Sequence, residues 1–222
     1  REAIEKLDNI LKIKNNILPI EEELYKAKKK EFFSYKRVKR ESDNKISVKV
    51  STIEQFNQLD LNKLDRIYLG FYDDLDKVIA KINEYNKEIF IWTDKILYQK
   101  DLDYIGDKIE AIKNEIHGIS VSNLGSLKYF KDRFELKIHG DIGLNVFNSS
   151  TLNYLYKIGL DSITLSPELN LAQIAQINEK SNSHNEAIVY GYLPLMITKY
   201  CPMSVVKGCK DDRHCNSCNF AK

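Results

Sequence analysis

Cysteine is missing from most of this chain. The first 200 of its 222 residues contain none, and all four cysteines lie in the short carboxy-terminal remainder. A chain of this length carries enough apolar material to form a core without disulfide bonds. Disulfides are therefore excluded from the first 200 residues, and cysteine chemistry is confined to the carboxy-terminal segment.

Other absences narrow the class of protein. No apolar run approaches the roughly 20 residues that a membrane-spanning helix needs, so no membrane partner and a cytoplasmic location are expected. Proline and glycine are sparse, at 4 and 9 residues, which argues against long disordered linkers. The formal net charge is only +2, so the chain as a whole is not a polycation. The hydrolase motifs Gly-x-Ser-x-Gly and His-Glu-x-x-His are absent.

The cysteines themselves form a tight cluster. Their spacing is Cys-x7-Cys-x5-Cys-x2-Cys within the run CPMSVVKGCKDDRHCNSC, and they are Cys201, Cys209, Cys215 and Cys218. Two cysteines separated by two residues can bind one metal ion from a single turn. The pattern predicts a metal site that holds either a four-iron four-sulfur cluster or zinc, since both accept four thiolates. Two disulfides, or inert thiols, are the alternatives.

The remainder of the chain divides by pattern. Residues 1–45 are expected to form an amino-terminal helical segment followed by a basic linker, because apolar residues recur there at helical spacing and Pro19 separates two charged stretches. The tightest basic run is Lys36, Arg37, Lys39 and Arg40. It is either an RNA contact or a solvated linker. Residues 46–200 form a second region, and 201–222 the cysteine-rich segment.

Residues 46–200 alternate short β-rich runs with amphipathic helical stretches. The predicted strands are 46–50, 66–71, 88–92, 118–122, 136–139, 161–165 and 186–190. Strands alternating with helices indicate a parallel sheet with right-handed crossovers. An even repeat favours a TIM-barrel-like α/β fold, in which either an eighth strand lies beyond Lys222 or the barrel is incomplete. An open doubly wound sheet is less favoured, because no glycine-rich phosphate loop follows a strand.

In such a fold, chemistry occurs where the strands end. This rule selects His139, Asp141, Asn145 and Glu168 as candidate catalytic residues, since imidazole and carboxyl groups serve as general acids and bases. Each also has a structural alternative, because Asp and Asn after a strand commonly cap the next helix. Trp92 is expected in the barrel wall.

Three stretches resemble a known family. ITLSPELNLAQI (163–174), EAIVYGYLPLMITKYCPM (186–203) and the cysteine run are similar to the collagenase-like U-32 peptidase family, in the later barrel segment of its longer bacterial members. The resemblance implies a TIM-barrel-like fold, cysteines that carry an iron–sulfur cluster, and other domains of a longer parent chain as partners. It also implies hydroxylation of an RNA base or of a small cyclic substrate, or proteolysis as the family name states. Beside the cysteines, the resemblance carries over to Glu168 and Glu186.

One departure from the family pattern bears on function. The family signature places His and then Cys after the last strand, whereas Tyr190 and Pro194 stand at those positions here. Two hypotheses follow. The segment is part of an iron–sulfur enzyme that modifies RNA or a small ring, or it is a non-catalytic, zinc-stapled barrel segment that supports a separate catalytic domain.

Overall fold

The structure is a computed structural model, and it describes residues 2–14, 21–34, 44–71, 74–181, 184–198, 200–201, 204 and 206. The chain divides into two compact units, Arg1–Arg37 and Val38–Lys222. The first unit contains two helices, α1 (Glu2–Lys14) and α2 (Glu22–Phe33), as the spacing of apolar residues predicted. No helix in the described parts of the chain is both long and apolar enough to span a membrane.

The second unit is built on one parallel sheet. Its strands are β1 (Ser47–Lys49), β2 (Arg66–Leu69), β3 (Glu88–Trp92), β4 (Gly118–Val121), β5 (Lys137–Gly140), β6 (Ser162–Thr164) and β7 (His184–Glu186). The helices between them are α3 (Ile53–Asn57), α4 (Leu75–Glu84), α5 (Gln99–Ile112), α6 (Leu124–Arg133), α7 (Ser149–Lys157) and α8 (Leu171–Glu179). Two short 3-10 helices, Leu61–Lys63 and Ile142–Leu144, also belong to this unit.

The strands are arranged in chain order. Each pairs in parallel with its sequence neighbour, which gives the order β1-β2-β3-β4-β5-β6-β7. The sheet curls strongly, which brings its first and last strands together: Ser47 on β1 donates a hydrogen bond to Glu186 on β7, at 3.1 Å. A curled parallel sheet with helices between its strands is an incomplete TIM-barrel-like α/β fold, so the predicted fold class is confirmed.

The two faces of the sheet differ in chemistry. Side chains alternate along a strand, so residues i and i+2 share a face. On β2, Ile67 and Leu69 belong to the fully buried apolar core, which also contains residues of the helices. Arg66 and Tyr68 point to the opposite, concave face, where both reach Glu186. The core therefore lies between sheet and helices, whereas the concave face carries a polar network.

The last strand differs from its prediction. We expected strand structure over 186–190, but β7 ends at Glu186, and Val189 and Tyr190 are each 94% exposed. The reason is the length of the neighbouring strand. Leu165 donates its N–H to the carbonyl of Glu186, but the N–H of the next residue, Ser166, donates to Val146 instead. The backbone of β6 is therefore turned away from residues after 186, and strand pairing ends there.

Candidate functional site

The carboxyl ends of the seven parallel strands meet at one edge of the sheet, which we call the carboxyl edge. Polar residues follow several strands here, as predicted. Close packing holds the loops together at this edge. A Cβ atom on Gly143, in the 3-10 helix after β5, would lie 2.3 Å from the carbonyl oxygen of Ser122 after β4. Glycine is therefore required at this position, because only a residue without a side chain allows so close an approach.

His139 does not lie on the surface of this edge. Its side chain points into the concave face and is 1% exposed. Both ring nitrogens have hydroxyl neighbours: Nδ1 lies 2.8 Å from Ser162 Oγ and Nε2 lies 2.9 Å from Thr164 Oγ1. Burial lowers the pKa of His139 to about 3, so the ring is neutral near pH 7. A general acid or base role for His139 would require a substrate to enter the interior of the sheet.

Asp141 lies at the carboxyl edge and is held in two ways. Its Oδ1 accepts the N–H of Ile142, and its Oδ2 lies 2.9 Å from the Nζ atom of Lys49, which projects from β1. Burial alone would raise the pKa of Asp141, but the charge and hydrogen bond of Lys49 outweigh it, so the pKa lies below its usual value. The Lys49 ammonium also lies 4.6 Å from the centre of the Trp92 ring. Asp141, Lys49 and Trp92 thus form one cluster.

The other two candidates lie apart from this cluster. Asn145 is exposed and ends the 3-10 helix in a left-handed conformation, with φ of 50°. Glu168 is exposed in the turn after β6. Within the described residues, no hydrogen bond or ion pair joins Asn145 or Glu168 to His139 or Asp141. The catalytic role of all four residues stays a prediction.

Glu186, which the family resemblance singled out, belongs to a network of charged groups on the concave face whose other members the sequence analysis did not identify. Arg66 is its centre: the guanidinium donates to Glu88 at 2.6 and 2.9 Å, to Ser162 at 2.9 Å and to Glu186 at 3.1 Å. The Tyr68 hydroxyl donates to Glu186 at 2.9 Å. Burial, and then the charge of Glu186, raise the pKa of Tyr68, so the phenol stays protonated. The sequence held one indication of this network: two apolar strands each begin with a charged residue, Arg66 and Glu88. These two residues pair directly in the sheet.

A pocket opens at the carboxyl edge, beside β2, β3 and α5. Its volume is about 360 Å³. Aromatic side chains from the strand ends and the helix line it, namely Phe71, Trp92 and Tyr104, together with the acidic residues Asp94 and Asp101. Trp92 is thus part of a cavity wall, where the sequence predicted only a barrel wall. The indole donates from Nε1 to the carbonyl of Val50 at 3.1 Å, which fixes the orientation of the ring.

The predicted metal site falls mainly outside the described residues. Cys209, Cys215 and Cys218 lie there, as does the basic run 36–40. Cys201 is described, and its thiol is free and exposed. Within the described part of the chain, no group of three or more His, Cys, Asp or Glu side chains is arranged to hold a metal ion. The cysteine site therefore stays a prediction from spacing.

The curled parallel sheet, with its polar concave face and a pocket at the carboxyl edge, defines the class of protein as a TIM-barrel-like α/β domain. The model of peptidase family U32 matches residues 52–221. The match covers more than half of the chain, so the chain belongs to peptidase family U32. The resemblance found in the sequence is thereby confirmed.

One curated protein and one solved structure are similar to this chain. The chain is 28% identical over 138 residues to the uncharacterized protease MJ0090 of Methanocaldococcus jannaschii, a stretch that covers 60% of this chain and 33% of that protein. The chain thus spans about a third of the length of this relative. The solved structure of the U32 peptidase Mk0906 superimposes with a TM-score of 0.53 at 10% identity, over 69% of this chain and 73% of the other. At this identity the similarity concerns the fold alone.

Proposed function

We propose that this chain is the barrel and cysteine-bearing part of a U32 enzyme that hydroxylates a ring, either a base of RNA or a small cyclic compound. The observation that carries the proposal is the pocket of about 360 Å³ at the carboxyl edge, where aromatic walls adjoin carboxylates. Pockets of this size take small molecules or single bases, and aromatic side chains stack on flat rings. In a TIM-barrel-like fold this edge is where chemistry takes place.

The residues present fit an iron–sulfur cluster. Four cysteines supply the thiolate donors that such clusters need, and the described one, Cys201, has an exposed, free thiol. A bound cluster supplies electron transfer. Hydroxylation converts a ring C–H to C–OH, so the parent enzyme also requires an oxygen-donor co-substrate that is reduced by two electrons. The residues of this chain bind and orient the ring.

The Lys49–Asp141 pair has a specific role in this proposal. Asp141 stays ionised, since Lys49 holds its pKa down, and a carboxylate at the carboxyl edge can accept a proton or a hydrogen bond from a substrate. Lys49, 45% exposed, remains accessible to an anionic group such as a phosphate. Trp92 contacts the Lys49 ammonium and also lines the pocket, so it connects this pair to the pocket wall.

Peptidase activity is the alternative that the name of the relative MJ0090 favours. The described residues offer one nucleophile-like arrangement, His139 between Ser162 and Thr164. All three side chains are at most 5% exposed, however, and a polypeptide cannot reach them without opening the sheet. An unmetallated cysteine of the carboxy-terminal segment remains as a possible nucleophile. Release of amino groups from a peptide substrate by metal-free protein would establish this alternative.

A zinc-stapled, non-catalytic segment is the second alternative. It is favoured by Tyr190 and Pro194, which replace the His and Cys of the family signature. In that case the active site lies in another domain of the parent chain, and this segment positions it. RNA contact through Lys36, Arg37, Lys39 and Arg40 belongs to the first proposal and is tested by reversing their charges. Weaker RNA binding with unchanged folding supports the contact, and unchanged binding contradicts it.

Mass spectrometry of RNA nucleosides tests the proposed reaction. RNA from cells that lack the parent gene is compared with RNA from cells complemented with the wild-type gene or with a Cys215→Ser/Cys218→Ser variant. The proposal predicts a nucleoside heavier by one oxygen atom in the wild-type sample alone. The same comparison on small-molecule extracts covers a cyclic substrate. If neither RNA nor extracts differ, the hydroxylation proposal is refuted.

A further inference from the structure

The pocket at the carboxyl edge has a chemical preference that its walls define. Three aromatic rings surround it, those of Phe71, Trp92 and Tyr104. The side-chain-free Gly70 also lines it, and a Cβ atom there would lie 3.0 Å from the Trp92 ring. Gly70 therefore gives access to the indole that a larger residue would restrict. A flat ligand can contact these rings, but the rings alone do not select its charge.

The charge of the lining is one-sided. Asp94 and Asp101 contribute carboxylates, and none of the described lining residues is basic. Asp101 already accepts the backbone N–H of Tyr98. The Asp94 carboxylate is exposed and makes no hydrogen bond or ion pair within the described part of the chain. The Thr93 hydroxyl donates to the carbonyl of Ser120. The exposed charge in the lining that is open to a ligand is thus the Asp94 carboxylate.

Lysine ammonium groups already contact all three aromatic walls. The Lys49 ammonium, which is paired with Asp141, lies 4.6 Å from the centre of the Trp92 ring. The Lys108 ammonium, from α5, lies 4.7 Å from the centre of the Tyr104 ring and 5.3 Å from that of Phe71. These are the distances of cation–π contacts. Lys108 does not itself line the pocket. The walls therefore accept a positive charge, and the Lys108 ammonium would repel a cationic ligand in the pocket.

From these observations we propose that the pocket binds a planar ring that carries a positive charge or an amino group, with the ring against Trp92 and its charged edge at Asp94. Aromatic faces attract cations, and a carboxylate accepts hydrogen bonds from amidinium or amino groups. The inference deepens the proposed function, and it rests on that proposal only in taking the ring as the substrate. Binding itself is a property of the pocket and can be measured without turnover.

Trp92 provides the assay, because it is the single tryptophan of the chain. Its fluorescence is followed while the protein is titrated with three probes of nearly equal shape: benzamidinium, neutral benzamide and anionic benzoate. Ligand-observed NMR on the same samples provides a second readout. We expect saturable binding that is tightest for benzamidinium and weakest for benzoate. Equal binding of benzoate, or no saturable binding up to the solubility limit, would overturn the proposal.

Two variants test the assigned charges. Asp94→Asn should weaken benzamidinium binding by about fivefold, the effect of losing one exposed ion pair, and leave benzamide binding unchanged. Lys108→Gln should strengthen benzamidinium binding by about threefold, because a repelling neighbour is removed. Asp76→Asn, an exposed carboxylate on α4 that does not line the pocket, is the matched control. An opposite sign for either variant, with the melting temperature unchanged, contradicts the assignment.

The outcome is separable from that of the proposed reaction. A protein without iron and sulfide that still binds benzamidinium would refute the cluster chemistry and keep the pocket assignment. A cluster-containing protein that binds none of the probes would refute the pocket assignment and keep the cluster.

Discussion

Replacing Arg66 with methionine removes the group that joins β2 to β3, β6 and β7 on the concave face. The Arg66 side chain is 14% exposed and its guanidinium contacts Glu88, Glu186, Ser162 and Tyr68. Methionine keeps most of the aliphatic volume, so the change isolates the charge. Truncating one partner of a buried ion pair costs about 3–5 kcal/mol, because the other charge is left uncompensated.

For Arg66 the expected loss is smaller than this, because its two carboxylate partners are only partly buried. Glu88 and Glu186 keep some hydration, at 28% and 24% exposure, and Glu88 retains Lys137 at 2.8 Å. We therefore expect Arg66→Met to lower the free energy of unfolding by about 2–3 kcal/mol. In a domain of this size, that corresponds to a melting temperature lower by about 5–10 °C. Urea unfolding followed by circular dichroism measures the free energy directly.

Two further variants make the reasoning refutable. The triple variant Arg66→Met/Glu88→Gln/Glu186→Gln should be more stable than Arg66→Met alone, because no buried carboxylate is left unpaired. Arg133→Met removes a surface arginine that pairs with the exposed Asp107, and it should change stability far less. If Arg66→Met unfolds within about 0.5 kcal/mol of the wild type, the network does not hold the strands together.

The same network predicts an acid transition. Partial burial alone would raise the pKa of Glu88, but hydrogen bonds from Lys137 and Arg66 outweigh it and lower the pKa to about 2. The stabilisation from an ionised Glu88 is thus fully present above its ordinary pKa, 4.5, and is lost as the pH falls towards 2. In Arg66→Met, stability should depend less steeply on pH within this window.

Three other predictions follow from the carboxyl edge and the interior. In the wild type, the low pKa of His139, about 3, should cost stability as the pH falls from 6.5 to 3, by at most about 1.4 kcal/mol per pH unit. His139→Phe removes this titrating ring, so acid unfolding curves of the variant should show a smaller loss. An unchanged slope contradicts a neutral, buried ring. Lys49→Met removes the ammonium group that lowers the pKa of Asp141 against the effect of burial. The pKa of Asp141 should therefore rise in an NMR titration, and a constant pKa would show that Lys49 does not control it. Gly143→Ala places a Cβ atom 2.3 Å from the carbonyl oxygen of Ser122 and should cost about 1–3 kcal/mol in thermal unfolding; wild-type stability would mean that the two loops do not pack this closely.

The sheet could be predicted because its strands repeat a simple pattern. Apolar runs such as Glu88–Trp92 alternate with amphipathic helices, and that pattern admits few folds. The helix α6 (Leu124–Arg133) is a weak signal in the sequence, because its apolar stripe is short and only Leu127 and Phe130 are buried apolar positions. At the start of α7 the neighbours Asn148, Ser149 and Ser150 are all suitable cap residues, and Asn148 is the one that accepts the N–H of Thr151. Caps depend on which residue adopts the extended conformation, and several neighbours compete for that position.

The site was harder to predict than the fold. Local sequence identified Asp141 as a polar residue after a strand, but it gave no indication that Lys49, 92 positions away, would neutralise it. The curl of the sheet brings these two residues together. His139 was also harder to place. It was expected at the carboxyl edge but lies in the interior, because the register of a strand determines which of its residues emerges at the end.

Metal and acid-labile sulfide analysis, with an absorption spectrum of protein purified without oxygen, tests the central claim most directly. If the carboxy-terminal cysteines hold a four-iron four-sulfur cluster, iron and sulfide will each be present at about four per chain, with a broad absorption band at about 400 nm. The same measurement on Cys215→Ser/Cys218→Ser protein should show neither. One zinc per chain without sulfide or colour would contradict the account and make the cysteines a structural clasp.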